Sequence, residues 1–361
     1  MSTSVFSRPL ARVEAFQARL EIQLPILLAP MAGACPPSLS IAVANAGGLG
    51  ACGALYMNPN SILAWADEFR RQCQGEFQMN LWIPDPPAIR NAEAEDRQRD
   101  FLSAWGPAVT EEMGEAVLPD FEAQCQTLLA VRPKVISSIM GLYESAFISE
   151  MKARGILWFA TATTVEEARA AEAAGADAIV AQGMEAGGHR GAFHAEDAER
   201  QMVGLIALLP QVVDTVSVPV IAAGGISDGR AIAAALILGA SAVQIGTGFL
   251  RCPEAQLHPG YAERLSHTYG HQTRITRAFT GRSGRSISTR YVEAAASPGA
   301  PAPAPFPIQR GFTRPMRDDA VLHGDVERMK MWAGQAAHFA QPQPAQILTQ
   351  QLWEDASQYL F

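Results

Sequence analysis

Short apolar runs alternate with longer stretches of helical pattern over most of the 361-residue chain, and this alternation restricts its fold more than any other feature. Strands that are separated by helices pair in parallel, which produces an α/β sheet. A partial internal repeat, GADAIV from Gly175 and GASAVQ from Gly239, spans two βα units of about 30 residues each. The apolar runs are PILLAPM, LGACGAL, FQMNLWIP, KVISSIM, GILWFATA, DAIVAQG, PVIAAGG and SAVQIGT. We therefore predict an α/β fold, a (β/α)8 TIM barrel.

The helices between these runs carry recognisable start signals. Ser61 is the expected N-cap of the helix after the second run. After the fifth run, Thr164 precedes Glu167 by three residues, a spacing that predicts a capping box. The helix after the sixth run is expected at about residues 201–216.

Two segments depart from the alternation. Residues 85–119 are polar and rich in proline, and we interpret them as an insertion with two short helices after strand three, where barrels carry active-site loops. From Arg251 the alternation stops. We predict a barrel over residues 1–250 and a C-terminal helical extension over residues 251–361 that packs on it as a cap. A separate folded domain of about 110 residues is the alternative.

Composition excludes several classes of function. A net charge of −8 and a pI near 5.4 offer no attraction to phosphate backbones, so we expect no nucleic-acid partner. The chain has no uncharged apolar run of about 18 residues, so we expect no membrane span. Its N-terminal segment lacks a signal-like apolar stretch, which favours a cytoplasmic protein. Five scattered cysteines without C-x-x-C indicate reduced thiols, and the histidines lack metal-ligand spacing, so we expect no metal.

Glycines follow the last two predicted strands. Gly224 and Gly225 come after strand seven, before a helix whose N-cap is Ser227 or Asp228. Glycine lets backbone N–H groups approach an anion at the positive end of a helix. After strand eight, Gly246-Thr247-Gly248 repeats the pattern. Paired loops of this kind hold phosphate groups in barrels, so we predict a phosphate site; the alternative is that the glycines only make tight turns.

The stretch AQGMEAGGHRG carries the candidate catalytic residue. His189 lies beyond the end of strand six, in a loop that faces the predicted phosphate site. A neutral imidazole with a pKa of about 6.5 is suited to removing a carbon-bound proton. Glu185 is placed to orient or tune His189, or is a solvated carboxylate, and His194 is expected at the surface.

Two uncharged amides interrupt apolar strands near their ends, Asn80 in strand three and Gln182 in strand six. Amides of this kind hydrogen-bond the edge of a flat heterocycle without adding charge. The alternative is that they satisfy neighbouring backbone groups. The sequence leaves both interpretations open.

Several motifs together resemble the nitronate monooxygenase family, formerly called 2-nitropropane dioxygenases. The resemblance covers about Leu24 to Arg290, with a further similar patch at Met331 to Ala337. The motifs are LAPMAGA, AQGMEAGGHRG, PVIAAGGISDGRAIAAALILGASAVQIGTGF, TRAFTGR and, in the patch, MWAGQAA.

The resemblance implies an FMN-dependent barrel enzyme that oxidises alkyl nitronates, and often nitroalkanes, with O₂ to carbonyl compounds and nitrite. In that family the histidine matching His189 is the catalytic base or handles the proton. The positions that match its cofactor site are Ala29, Pro30, Met31, Asn80, Gln182, Gly187, Gly188, Gly224, Gly225, Gln244, Gly246 and Thr247. The expected partners are therefore FMN, a small nitronate or nitroalkane and O₂. The sequence does not determine the oligomeric state, and a homodimer stays open.

Flavin-dependent enoyl-ACP reductases, which use NAD(P)H, share the G-x-E-x-G-G-H motif and are the alternative. We favour the oxygenase because Arg190 follows the histidine and because GRSGRSI is similar to the G-R-P-A-R-G stretch of the nitronate enzymes, from which it departs at Ser283 and Gly284. Two alternatives are open for Arg190, Arg282 and Arg285: they attract a nitronate anion, or they are solvated at the surface. A flavin-binding sensor without turnover is a third hypothesis.

Overall fold

Eight parallel strands form a barrel in the computed structural model, which describes residues 7–360. The described residues contain eleven strands, which in chain order are β1 (Ile26–Leu28), β2 (Gly50–Gly53), β3 (Phe77–Trp82), β4 (Val135–Ile139), β5 (Leu157–Ala162), β6 (Ala178–Gln182), β7 (Gly188–His189), β8 (Val220–Ala223), β9 (Ala242–Ile245), β10 (Thr273–Thr276) and β11 (Gly284–Ile287). Three of them, β7, β10 and β11, form a separate antiparallel sheet. The order around the barrel is β1, β9, β8, β6, β5, β4, β3 and β2. A bridge between Leu27 and Leu49 closes the ring next to β1, so the predicted (β/α)8 fold is confirmed.

Helices alternate with the barrel strands, and further helices lie before the first strand, in the insertion and in the C-terminal residues. They are α1 (Ser7–Leu20), α2 (Pro37–Asn45), α3 (Pro59–Gln72), α4 (Ala92–Ser103), α5 (Phe121–Val131), α6 (Ser145–Ala153), α7 (Val165–Ala174), α8 (Leu205–Val213), α9 (Gly229–Ile237), α10 (Pro259–Ser266), α11 (Arg290–Ala295), α12 (Ile308–Phe312), α13 (Arg314–His323) and α14 (Ala345–Leu360). The last helix, α14, packs against α9 and α2. It therefore takes the place where the helix after the eighth barrel strand would lie. None of these helices has the length and apolar character needed to cross a bilayer.

The helix starts differ in part from the sequence prediction. Asn58, not Ser61, caps α3, because its side chain accepts a hydrogen bond from the Ser61 N–H at 2.9 Å. Thr164 caps α7 as predicted, accepting from the Glu167 N–H. The reciprocal half of the box is absent, because the Glu167 carboxylate accepts from the Thr163 N–H at 2.6 Å instead. The helix predicted over residues 201–216 is the shorter α8.

An N-terminal helix that the sequence pattern did not reveal, α1, closes the amino-terminal end of the barrel. Phe16 and Leu20 pack among inward-facing strand residues, and the Phe16 ring lies 5.9 Å from that of Phe159. Arg12 anchors the helix by donating to the Leu236 carbonyl at 2.9 Å. Among the described residues, the end of the barrel that stays open to a cavity is therefore the one at the carboxyl ends of the strands. Residues 1–6, part of the segment judged to lack a signal sequence, lie outside the described residues.

The insertion and the C-terminal residues pack together beyond the strand ends. The insertion contains α4 and a 3₁₀ turn at Glu111–Gly114. Leu102 of the insertion shares one apolar cluster with Tyr291 and Phe312, apart from the barrel core. Since α14 packs on the barrel itself, the division of the chain at residue 250 stays a prediction.

Candidate functional site

One cavity of about 470 Å³ opens at the carboxyl ends of the strands, within the size range of small-molecule sites. All of the predicted site residues line this cavity, although they are spread over more than half of the chain. They are Ala29, Pro30, Met31, Asn80, Gln182, Gly187, Gly188, His189, Gly224, Gly225, Gln244, Gly246 and Thr247. The carboxyl ends of parallel barrel strands meet at one face, which explains why residues predicted separately lie together.

A ring of polar side chains lines the bottom of the cavity. The polar ring consists of Asn80, Ser137, Thr161, Gln182 and Gln244. Successive strand residues face opposite sides of a sheet, and these positions face the barrel interior. Deeper in the same interior the side chains are apolar, as at Val135 and Phe159. Ser137 and Thr161 were not predicted as site residues, because single hydroxyl groups in apolar strands form no distinctive sequence pattern.

The two predicted amides differ in their bonding. Asn80 donates to the Ser137 hydroxyl at 3.1 Å and leaves its carbonyl oxygen without a hydrogen-bond partner among residues 7–360. Gln182 accepts from the Gly191 N–H at 2.8 Å and donates to the His189 carbonyl at 3.2 Å. Gln182 therefore holds the His189 loop (residues 183–192) in place.

The glycine loop after β8 has backbone dihedral angles that other residues rarely adopt. Gly224 and Gly225 have φ values of +107° and +70°. A Cβ at Gly224 would stand 3.0 Å from the Ala186 backbone nitrogen, so this loop and the His189 loop touch through their backbones. The helix that follows begins at Gly229, and Asp228 is its N-cap, accepting from the Ala231 N–H at 2.9 Å. The loop thus joins a cavity wall to a helix N-terminus, as the sequence predicted.

His189 packs against two tryptophan rings. Its imidazole lies 4.6 Å from the Trp82 ring in an edge-on arrangement and 4.7 Å from the Trp332 ring. Nε2 is 2.8 Å from the Thr280 hydroxyl, and Nδ1 has no hydrogen-bond partner among the residues that the structure describes. Burial, and then the positive charges of Lys330 and Arg282, hold the pKa of His189 well below its ordinary range. The imidazole is therefore neutral near pH 7 and can accept a proton.

Glu185 does not take part in this arrangement. Its carboxylate accepts hydrogen bonds from the Leu205 N–H at 3.0 and 3.1 Å. It therefore caps the start of α8, which needs an acceptor because its first N–H groups have no partner within the helix. The prediction that Glu185 orients His189 is wrong for this structure. His194 is exposed, as expected.

Basic side chains of the C-terminal residues face the cavity, and they were not predicted from the sequence. Lys330, Arg317 and Tyr56 line the cavity, and the Arg310 guanidinium lies 3.9 Å from the centre of the Tyr56 ring. Burial, followed by the charges of Arg317 and Arg310, lowers the pKa of Lys330 to about 7. We call Lys330, Arg317 and Arg310 the cationic wall. Lys330 adjoins the MWAGQAA patch, the one signal by which it could have been found.

Three arginines predicted to attract an anion or lie at the surface are buried instead. Arg190, Arg282 and Arg285 are 1%, 2% and 5% exposed. Arg190 donates to the Gly183 carbonyl at 2.8 Å, and Arg285 donates to the Met184 carbonyl at 2.9 Å. Through these hydrogen bonds to backbone carbonyls, both arginines brace the His189 loop from within.

Arg282 fastens the same loop to the insertion. It donates to the Ala192 carbonyl at 2.8 Å and forms an ion pair with Asp85. The sequence departs from the family stretch at Ser283 and Gly284, which follow Arg282 directly. The Ser283 carbonyl accepts a hydrogen bond from the backbone N–H of Arg190 at 2.9 Å. Gly284 in β11 pairs with His189 in β7. The departure therefore falls on residues that hold the histidine, rather than on an open cavity wall.

The fold and this cavity define a (β/α)8-barrel enzyme with a deep ligand site at the strand ends. The family profile described as nitronate monooxygenase matches residues 14–355. A probable nitronate monooxygenase of Staphylococcus aureus strain Newman is 36% identical over 349 residues, covering 94% of this chain and 96% of the relative. The chain belongs to the nitronate monooxygenase family, and it is a flavin-dependent oxidoreductase.

Solved structures agree with this assignment. A nitroalkane oxidase from Streptomyces ansochromogenes has a TM-score of 0.88 and 36% identity, with 96% of this chain and 98% of that chain covered. FabK from Thermotoga maritima has a TM-score of 0.72 and 28% identity, covering 95% and 96%. The similarity to the nitroalkane oxidase is thus the greater of the two.

Proposed function

We propose that this protein uses FMN to oxidise alkyl nitronates, and nitroalkanes in addition, with O₂ to carbonyl compounds and nitrite. One observation carries the proposal: a neutral His189 lines the same cavity as Lys330 and Arg317 of the cationic wall, at the strand ends of a barrel from this family. A neutral imidazole suits proton removal from carbon, and positive charge suits an anionic nitronate.

The residues around the cavity fit FMN. The loops at Gly224, Gly225 and Gly246 suit a phosphate group, because small residues let backbone N–H groups approach an anion, and α9 begins four residues after Gly225. The polar ring suits the edge of a flat heterocycle. Gly188 also fits, since nothing lies within 4 Å of the place where a Cβ would stand. Bound FMN would supply the electron transfer and the reaction with O₂.

The protein's own contribution is proton handling, orientation and exclusion of water. His189 takes the α-proton of a neutral nitroalkane, or positions a nitronate that is already ionised. Trp82 and Trp332 pack against its ring, which limits its contact with water. Tyr261, Arg317, Lys330 and Trp332 all line the cavity, and on this basis we propose that the residues after position 250 act as its cap.

We expect purified protein to be yellow and to release FMN on denaturation. It should turn over propyl-2-nitronate with O₂ and leave crotonyl thioester unchanged, which absorbance and nitrite assays measure directly. A colourless protein that cannot take up FMN would contradict the cofactor proposal. Rapid bleaching of the flavin by NADPH under anaerobic conditions, with no nitronate present, would favour the enoyl thioester reductase instead.

The cationic wall predicts a pH dependence of substrate affinity. Lys330 has a pKa of about 7, so it loses its charge as the pH rises through that value. We expect the dissociation constant of a preformed nitronate to rise about fivefold or more between pH 6 and pH 8.5. Steady-state KM and anaerobic flavin titration measure it.

Lys330→Met should make the affinity for nitronate weak and nearly independent of pH over the same range. The exposed Lys152 gives a matched control, because Lys152→Met removes a lysine that lies outside the cavity. If Lys330→Met keeps the pH dependence of the wild type, another group is responsible for it.

A further inference from the structure

Gln78 is a fully buried amide inside the barrel, one inward position below Asn80 on β3. Its side-chain nitrogen Nε2 donates to the Leu28 carbonyl at 3.0 Å and to Oε1 of Gln244 at 3.0 Å. Of these residues, only Gln244 reaches the cavity wall. Gln78 thus connects the barrel interior to one member of the polar ring.

The chemistry of these contacts determines which way both amides point. A backbone carbonyl can only accept, so the atom of Gln78 that faces the Leu28 oxygen must be its NH₂ group. The second proton of the same NH₂ group points to Gln244, which must therefore present its oxygen. The Gln244 NH₂ group is left without a hydrogen-bond partner among residues 7–360, on a side chain that lines the cavity.

Burial of Gln78 is difficult to explain by stability alone. Its own oxygen, Oε1, is buried and has no hydrogen-bond partner within residues 7–360. An unsatisfied buried polar atom destabilises the folded protein, whereas an apolar side chain of similar size would avoid that cost. Gln182, in contrast, has both ends of its amide bonded to the His189 loop. Gln244 is therefore the ring amide whose NH₂ group is oriented by a neighbour and remains free for a ligand.

We infer that Gln78 is a positioning residue, which holds the Gln244 amide as a hydrogen-bond donor toward an acceptor atom of the bound flavin ring. The inference rests on the proposed function, because it requires the flavin to occupy this cavity. A flavin ring carries carbonyl oxygens and ring nitrogens that accept hydrogen bonds. A donor fixed in advance loses little entropy on binding, so it stabilises the complex more than a freely rotating amide does.

The test is a double-mutant cycle with Gln78→Met, Gln244→Met and the double variant. Methionine is close to glutamine in length but has no N–H group. We expect each single variant to weaken FMN binding about fivefold to 20-fold and to shift the visible absorption bands of the bound flavin. The double variant should bind FMN no more weakly than Gln244→Met, because Gln78 acts through Gln244. Flavin fluorescence quenching gives the dissociation constants.

Gln98 provides a matched control. It is a buried glutamine in α4, 1% exposed, whose Oε1 also lacks a partner within residues 7–360, and it lies outside the cavity wall. Gln98→Met should leave FMN affinity and the flavin spectrum unchanged. If Gln78→Met has wild-type affinity and spectrum while Gln244→Met is altered, the inference is overturned. Effects that add in the double variant would also overturn it, since Gln78 would then act independently of Gln244.

A further variant tests the direction of the hydrogen bond even if Gln78→Met fails to fold. Gln244→Glu can still accept from Gln78 but cannot donate to the flavin when ionised. It should bind FMN more weakly than Gln244→Met, and equal or stronger binding would refute the donor role. Wild-type protein that takes up no FMN would instead overturn the proposed function and this inference with it.

Discussion

Replacing His189 with asparagine should lower turnover of a neutral nitroalkane about 100-fold to 10,000-fold, the range that general-base catalysis supplies. The neutral His189 imidazole can take a proton from carbon, and asparagine cannot do so. A preformed nitronate has already lost that proton, so its turnover should fall much less. Nitrite release from the two substrate forms, assayed side by side, measures the difference.

The acid limb of the pH profile gives an independent check on this assignment. Because burial and nearby positive charge hold the pKa of His189 well below its ordinary range, its basic form persists at mildly acidic pH. Activity on the neutral substrate should therefore decline only well below pH ~6.5. His194→Asn, at an exposed histidine of the following segment, is the control and should behave as wild type. If His189→Asn keeps neutral nitroalkane turnover, the base is another residue.

Gly225→Asp should weaken FMN binding by about 100-fold or more. The substitution adds a negative charge where we propose that the phosphate lies, and like charges repel strongly in a partly dry cavity. A Cβ at this position would also stand 3.2 Å from the Glu185 Cβ, which leaves little room to turn away. Equilibrium titration of the apoprotein with FMN measures the loss.

Two control variants separate charge from backbone strain. Asparagine has the same size as aspartate and also tolerates positive φ, but it adds no charge. Gly225→Asn should therefore bind FMN distinctly better than Gly225→Asp. Gly155 has a φ of +71°, close to the +70° of Gly225, and nothing lies within 4 Å of its would-be Cβ. Gly155→Asp should retain FMN affinity. If the Asp and Asn variants at position 225 bind equally, the phosphate lies elsewhere.

Much of the site could be predicted because it follows from strand ends. The glycines after strands seven and eight and His189 after strand six are visible in the sequence as departures from apolar runs. Barrel closure then brings such departures together at one face, so residues as distant as Ala29 and Thr247 line the same cavity. Periodicity and turn chemistry are local properties, and a sequence displays them directly.

The rest depends on contacts between segments that have no common pattern. Arg282 was expected to be solvated or to attract an anion, but it is buried because Asp85 and the Ala192 carbonyl supply its acceptors. Lys330 reaches the cavity from the C-terminal residues, and its pKa is low because of burial and neighbouring arginines. Neither the acceptors nor the burial can be read from the spacing of residues along the chain.

By itself, the sequence of this protein determined the barrel, the face on which ligands bind and the histidine and glycine loops on that face. Only the tertiary structure decided that α1 closes the other end, that three arginines brace the His189 loop, and which way the Gln244 amide points. The strand-end residues follow from local periodicity together with the one geometry that parallel strands allow. The orientation of an amide such as Gln244, however, depends on a hydrogen-bond partner, Gln78, that lies far away in the chain.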